Sequence, residues 1–292
     1  MSARVECVQV HRAAPPRLAV LVRVKNEMAQ LPEFWRRLQR QTAFSQLEVV
    51  FLDSGSQDGT LEFLRALPVS LYRIPPADFQ FGSSCNLIAS LSTAPNLAYF
   101  SGHVLLEQED ALAKVLDVLA RDEYAALYLR QVPNTLTGSS AYERAHLARR
   151  FPPASEPLVE LLAPQAFSNA ASALTRPSWE RSRFPEVAAS EDFLWARTHL
   201  DLGGRLYYLP AVTAMHSHNE EAEAVFRRVL LNVRARRLRP SPLRAAVYFA
   251  GVFASLLRHG ASWPEAFRYA CSHAQAHRQP AEPSSAGQPR RG

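Results

Sequence analysis

Residues 47–60, Leu-Glu-Val-Val-Phe-Leu-Asp-Ser-Gly-Ser-Gln-Asp-Gly-Thr, constrain the fold more than any other stretch of the chain. Leu47, Val49, Val50, Phe51 and Leu52 make a nearly unbroken apolar run, too short for a typical helix and rich in β-branched and aromatic side chains. A strand covered on both faces has this pattern. Polarity switches at Asp53, and Ser54, Gly55, Ser56 and Gly59 form a loop of small residues before apolar periodicity resumes at Leu61. In an open α/β sheet, ligands bind outside the carboxyl ends of the strands, so Asp53 and Ser54 stand at the mouth of a candidate site. The same residues serve equally well to turn the chain and cap the next helix, and the neighbouring strands must decide.

Those neighbours repeat the pattern. Residues 18–24 form a second apolar run whose end carries Arg23, Lys25, Asn26 and Glu27. Leu31, Phe34, Trp35 and Leu38 then recur at helical spacing, with Arg36, Arg37 and Arg40 at other positions, which predicts an amphipathic crossover helix and a parallel strand pair. A helix near residues 61–67 and a short strand at 70–74 add a third unit. A helix over 83–91 carries Asn86, free either to meet a ligand or to cap locally. The strand expected at 96–100 ends in Ser101-Gly102-His103, where a glycine allows close approach and an imidazole offers one metal-capable nitrogen. A helix at 110–119 and a strand at 125–129 follow. The prolines between 132 and 166 predict loops and connecting helices. Asn169 lies in a run of small residues that would let backbone approach a bound sugar or simply pack tightly, and Ser190 can cap a helix whose first turn carries Glu191 and Asp192, as the helix dipole favours. A strand at 205–209 and, past Pro210, a second short strand deliver Met215-His216-Ser217-His218.

In their order and spacing, over roughly residues 18 to 220, these pieces resemble an inverting nucleotide-sugar glycosyltransferase of the GT-A type, close to glycosyltransferase family 2. The resemblance implies an α/β fold with a mixed, mostly parallel central sheet and flanking helices, plus a C-terminal helical extension. It implies transfer of a sugar, a hexose or deoxyhexose, from a nucleotide-diphosphate donor to a hydroxyl of a saccharide or lipid-linked acceptor, as in polysaccharide biosynthesis. By the same resemblance Asp53 and Ser54, with Arg23, Asn26 and Glu27, bind the nucleotide. Asn86, Ser101 and Asn169 lie along the donor. Asp192 is the general base and Glu191 orients it, since an inverting transfer needs one carboxylate within reach of the attacking oxygen.

The chain departs from the family where most members carry Asp-x-Asp: here the residues are Ser101-Gly102-His103. Histidine occupies that place in some GT-A enzymes, and His216 or His218 matches the distal metal ligand. Imidazole donors favour Mn²⁺ over Mg²⁺ for a divalent cation. Metal independence is the alternative, with Arg23 or another basic residue stabilising the leaving diphosphate. A nucleotide-sugar binding protein without catalysis is the rival function. A third class, a dinucleotide-binding oxidoreductase, would need Gly-x-Gly-x-x-Gly after its first strand, and Val24-Lys25-Asn26-Glu27 supplies none.

Composition sets the remaining bounds. At 292 residues and 47% hydrophobic, the chain can bury one large core or two small ones. Its net charge of +6 favours anionic partners, and no motif singles out nucleic acid. Cys7, Cys85 and Cys271 are far apart, which fits a reducing, cytoplasmic setting without disulfides or structural zinc. Residues 1–17 read as a polar leader without the apolar core of a signal peptide. Beyond residue 220 the chain turns helical and basic, and residues 245–257 are apolar but shorter than the ~20 residues that span a bilayer. This segment predicts a helical subdomain over 221–278, with peripheral association at the inner membrane face as the second reading. The Pro-, Ser- and Gly-rich residues 279–292 predict a disordered tail.

Overall fold

Alternation along the strands sorts the apolar residues onto two faces of one sheet. The computed structural model describes residues 4–11, 15–164 and 166–279. In chain order the elements are β1 (Glu6–Gln9), β2 (Leu18–Val24), α1 (Leu31–Gln39), β3 (Leu47–Asp53), α2 (Thr60–Arg65), β4 (Ser70–Arg73), α3 (Phe81–Ser90), β5 (Asn96–Ser101), β6 (Leu105–Leu106), α4 (Ala111–Leu119), β7 (Ala125–Val132), α5 (Ala141–Arg150), β8 (Val159–Leu161), β9 (Ala171–Thr175), α6 (Arg176–Arg181), α7 (Glu191–Asp201), β10 (Arg205–Met215), α8 (Ala222–Ala235), α9 (Pro242–Arg258) and α10 (Trp263–Arg278). The chain divides into two compact units: one runs to Ser139 and includes His146–Val187 and Glu191–Ser217, the other comprises Ser140–Ala145, Ala188–Ser190 and the chain from His218 onward.

The first unit holds the sheet, ordered β1-β4-β3-β2-β5-β9-β7-β10-β6, with β8 also on β10. β2, β3, β4, β5, β7 and β10 run in one direction; β1, β6, β8 and β9 oppose them. Val20, Val22, Val49 and Phe51 pack on one face with residues of α1 and α4, while Leu21, Val50 and Leu52 pack on the other with residues of α3 and α7. The two-faced burial expected of residues 47–52 is therefore what makes β3 a central strand. Because β9 is inserted antiparallel between β5 and β7, its start lies at the same edge as the carboxyl ends of the parallel strands.

Three details differ from the sequence reading. Part of the stretch read as a polar leader forms β1, which pairs antiparallel with β4 at the sheet edge. The two strands expected around Pro210 are one strand, β10, whose register against β7 breaks between Leu209 and Thr213; the proline sits in that irregularity, where no ladder hydrogen bond is asked of it. The two-residue β6, too short to leave a periodic signal, pairs with the end of β10.

The second unit packs α8, α9 and α10 around Val225, Val229, Val233, Val252, Leu256, Ala266 and Tyr269. Ser241 and Ser262 cap α9 and α10, each accepting the backbone N–H three residues on. The helical, basic extension expected beyond residue 220 is thus present. Residues 280–292, read as a disordered tail, lie outside the described residues.

Candidate active site

Parallel register brings three strand exits side by side: Arg23 is opposite Leu52 on β3 and Ser101 on β5, and Val24 is opposite Asp53. The loops that follow are laced together. The Asn26 N–H donates to Ser56 Oγ (2.9 Å), Asn26 Oδ1 accepts from the Gln57 N–H (2.8 Å), and the Glu27 N–H donates to Thr60 Oγ1 (2.9 Å). Asp53 is fully buried, its carboxylate accepting the N–H groups of Gly55 and Ser56 with the Arg73 guanidinium 3.6 Å away. It shapes the loop from beneath. Ser54 is buried as well, its Oγ donating to the Val24 carbonyl.

On the face that carries α3 and α7, Glu191 and Asp192 open α7. Glu191 is 6% exposed; Asp192 is half-buried, and its Oδ1 accepts the Phe193 N–H at 2.7 Å. Burial, then the negative charge of Asp192, pushes the Glu191 carboxyl up to about 7, against the opposing pull of the Arg23 guanidinium and a hydrogen bond from Asn169. Arg23 continues the phase of Ala19 and Leu21 onto this face, where it donates to the Phe81 carbonyl at 3.3 Å and lies over the Phe81 ring. Gly82 makes the close packing possible: a Cβ there would fall 2.0 Å from the Pro185 carbonyl oxygen and 3.5 Å from Glu191 Cβ. The buried Glu191 carboxyl, raised to about 7 and opposed by the Arg23 guanidinium, can hold and release a proton near neutral pH beside the more accessible Asp192.

A second centre is built from imidazoles. His103 Nδ1 lies 2.8 Å from Glu27 Oε1 and His216 Nδ1 lies 2.7 Å from Gln131 Oε1, while the two Nε2 atoms face each other at 3.2 Å. Each outer partner is an oxygen acceptor and calls for a proton on Nδ1, which leaves the Nε2 lone pairs converging. Lone pairs repel at that distance unless a cation or a shared proton lies between them. One ion bonded at about 2.1 Å to each nitrogen closes such a triangle, and imidazoles backed by a carboxylate or an amide oxygen are the usual surroundings of a bound transition metal. The residues present therefore fit a divalent cation. Gly102 brings this centre against the β2 exit, since a Cβ there would meet Val24 Cγ1 at 2.9 Å and Glu27 Cγ at 3.0 Å.

The other expected residues are placed as follows. Asn86, expected beside the donor, spends its amide within the protein: Nδ2 donates to the Phe184 carbonyl, and Oδ1 accepts from Trp179 Nε1 and the Phe184 N–H. It clamps the chain that leads toward α7. Asn169 is buried beside Glu191, to which it hydrogen-bonds, its Oδ1 accepting from Ser172 Oγ. Ser101 closes β5 and accepts the Val104 N–H with its carbonyl. His218 follows Ser217 as the first residue of the second unit in that segment. The sequence reading missed Gln131. Its signal was there: 125, 127, 129 and 131 share one phase of β7, and the last of them is polar at the strand's end.

With this geometry in view, the family is clear. The model of glycosyl transferase family 2 matches residues 19–169. The chain belongs to that family, and its sheet and helices are the GT-A fold. It is similar to the O-antigen chain rhamnosyltransferase WbaN of Salmonella anatum, 25% identical over 211 residues, and spans 65% of that protein's length and 68% of its own. Among solved structures it is similar to the mannosyltransferase PcManGT from Pyrobaculum calidifontis in complex with GDP-Man and Mn²⁺ (TM-score 0.57, 20% identity, 92% of this chain and 73% of that one). It is also similar to residues 1–349 of S. aureus TarS in complex with UDP (TM-score 0.53, 13% identity, 90% and 89% of the two chains).

Proposed function

We propose that the protein transfers a sugar from a nucleotide-diphosphate donor to a hydroxyl of a saccharide or lipid-linked saccharide, with inversion, and that Asp192 takes the hydroxyl's proton. The observation that carries this reading is the unequal carboxylate pair: Glu191 is buried and pushed up to about 7, while Asp192 beside it keeps access to solvent. A hydroxyl is a poor nucleophile at neutral pH, so the bond to the anomeric carbon forms as a carboxylate removes the proton. Asp192 is accessible to an acceptor. Glu191, by retaining a proton near neutrality, spares Asp192 a second adjacent negative charge and orients it.

The donor's nucleotide lies against the exits that carry Arg23, Asn26 and Ser101, over the loop that the buried Asp53 and Ser54 shape from beneath, and the guanidinium of Arg23 offsets the charge that develops on the leaving diphosphate. His103 and His216 would hold a divalent cation, Mn²⁺ in preference to Mg²⁺, whose positive charge would add to that of Arg23 at the diphosphate. The likeness to a mannosyltransferase with GDP-Man and Mn²⁺ and to a protein in complex with UDP supports a nucleotide-sugar donor, and the likeness to an O-antigen chain rhamnosyltransferase supports a saccharide product.

The test is transfer by the Asp192→Asn variant, which keeps the shape and removes the basicity. Release of nucleoside diphosphate in the presence of acceptor should fall by ~10²-fold or more, while the donor-induced rise in melting temperature stays near that of the parent. Transfer at the parental rate would overturn the assignment. A parent protein that binds donors yet transfers to no saccharide or lipid-linked acceptor would instead be a binding protein.

A further inference from the structure

We propose that the outer face of α9, continued by the first turn of α10, docks the protein onto the surface of an anionic phospholipid bilayer. The inward side of α9 is occupied, with Ala245, Val252 and Leu256 buried in the core of the helical unit. Its outward side should then be polar, as on an ordinary surface helix. It is not. Leu243, Val247, Ala250, Ala254 and Leu257 recur at spacings of three and four and are all exposed, Leu243 to 76% and Val247 to 62%. No carboxylate interrupts this helix.

The start of α10 extends the patch. Trp263 is 61% exposed and stacks on Phe267, centroids 5.5 Å apart, while Phe253 and Phe249 meet them edge-on. A tryptophan with its ring bared at the rim of an aliphatic face is suited to the headgroup level of a bilayer. The rim is also cationic: Arg239, Arg258 and Arg268 are exposed at the ends and edge of the patch. Residues 218–279 contain ten arginines against four glutamates, a surplus equal to the +6 of the whole chain, and only Glu265 follows Glu223 on the acidic side.

Charge chooses the occupant. A second copy of this face would bring its own arginine rim against the first, opposing like charges across the contact. An anionic lipid surface matches both the apolar centre and the basic rim. Among the described residues no helix is long and apolar enough to cross a membrane, so the mode is interfacial, with α9 lying in the plane of the headgroups. The proposal rests on the helical unit alone and needs neither donor nor acceptor.

The experiment is co-sedimentation of the full-length chain with phosphatidylcholine vesicles, with and without phosphatidylglycerol, at low and high salt. Binding is expected on the anionic vesicles at low salt, weakened by salt and near background on the zwitterionic ones. Arg258→Gln with Arg268→Gln should lower the partition coefficient by roughly thirtyfold, about fivefold for each charge near the surface. Leu243→Ser with Val247→Ser should lower it by ~10-fold or more through lost apolar burial. Quenching of tryptophan emission by brominated lipid should disappear in Trp263→Phe while sedimentation persists, because Trp35, Trp179 and Trp195 are buried elsewhere in the fold. All of these substitutions are at exposed positions, and far-UV circular dichroism checks that the variants fold. Absence of binding to anionic vesicles, or equal binding to zwitterionic ones, would overturn the proposal. So would self-association abolished by the Leu243 and Val247 changes without vesicle binding, which would make the face a contact between copies.

Discussion

Replacing Glu191 with glutamine should make the protein more stable at mildly alkaline pH, and the gain can be worked from the site. Burial and the neighbouring charge of Asp192 raise the Glu191 carboxyl from 4.5 to about 7. Between those values the folded protein keeps a proton that the unfolded chain has released. The native state therefore binds more protons, and stability falls as pH rises through the window, with the full loss reached above about 7. At about 1.4 kcal/mol per unit, the charged carboxylate costs about 3 kcal/mol once fully ionised. Glutamine carries no charge at any pH and has the same shape. Urea unfolding of parent and variant, followed by tryptophan emission, reports this region because Trp35, Trp179 and Trp195 are all buried in the sheet-containing unit. The two proteins should have equal unfolding free energies near about pH 4.5, and the variant should lead by about 3 kcal/mol at about pH 8, with an unchanged denaturant slope. A difference that stays flat over that range, or a variant less stable than the parent at the alkaline end, would refute the argument. The same variant should transfer sugar more slowly than the parent, which makes Glu191 a site where stability is given up for function.

Two other perturbations bear on the site. Glu27→Gln, which removes the carboxylate behind His103, should weaken Mn²⁺ binding by roughly 10-fold or more, read from free Mn²⁺ by electron paramagnetic resonance without donor present, and His103→Ala should weaken it further; unchanged affinity in both would show that the imidazole pair holds no cation. Gly82→Ala places a methyl 2.0 Å from the Pro185 carbonyl oxygen, so the backbone leading to α7 must move. It should cost about 1–3 kcal/mol in unfolding free energy and lower transfer more than it lowers donor affinity; a parental melting temperature and rate would argue that this approach is not tight.

The sequence by itself determined the layers of this protein and the edge at which its chemistry sits. Residues 47–52 had to form a strand buried on both faces, and the polar exits at Arg23, Asp53 and Ser101 had to gather wherever such strands run parallel. These are local matters of period and polarity, and the ordered set of exits also carried the resemblance to the family. Which atoms meet was decided by tertiary structure. Glu27 was read as a nucleotide contact, yet its carboxylate backs the imidazole of His103, 76 residues away in the chain. His103 in turn faces His216 across 113 residues, a pairing set by the register of β6 against β10 and of β5 against its neighbours. Asn86 has its amide consumed by Trp179 and Phe184 because α3 packs where it does, and Gln131 joins the site only because β7 lies beside β10. The apolar residues of 245–257 were legible as a helix, but which of them stay bare depends on how α8 and α10 cover the other side. Side-chain period is a property of neighbouring residues, whereas lone pairs, clashes and exposed faces are properties of segments that meet only after the chain has folded.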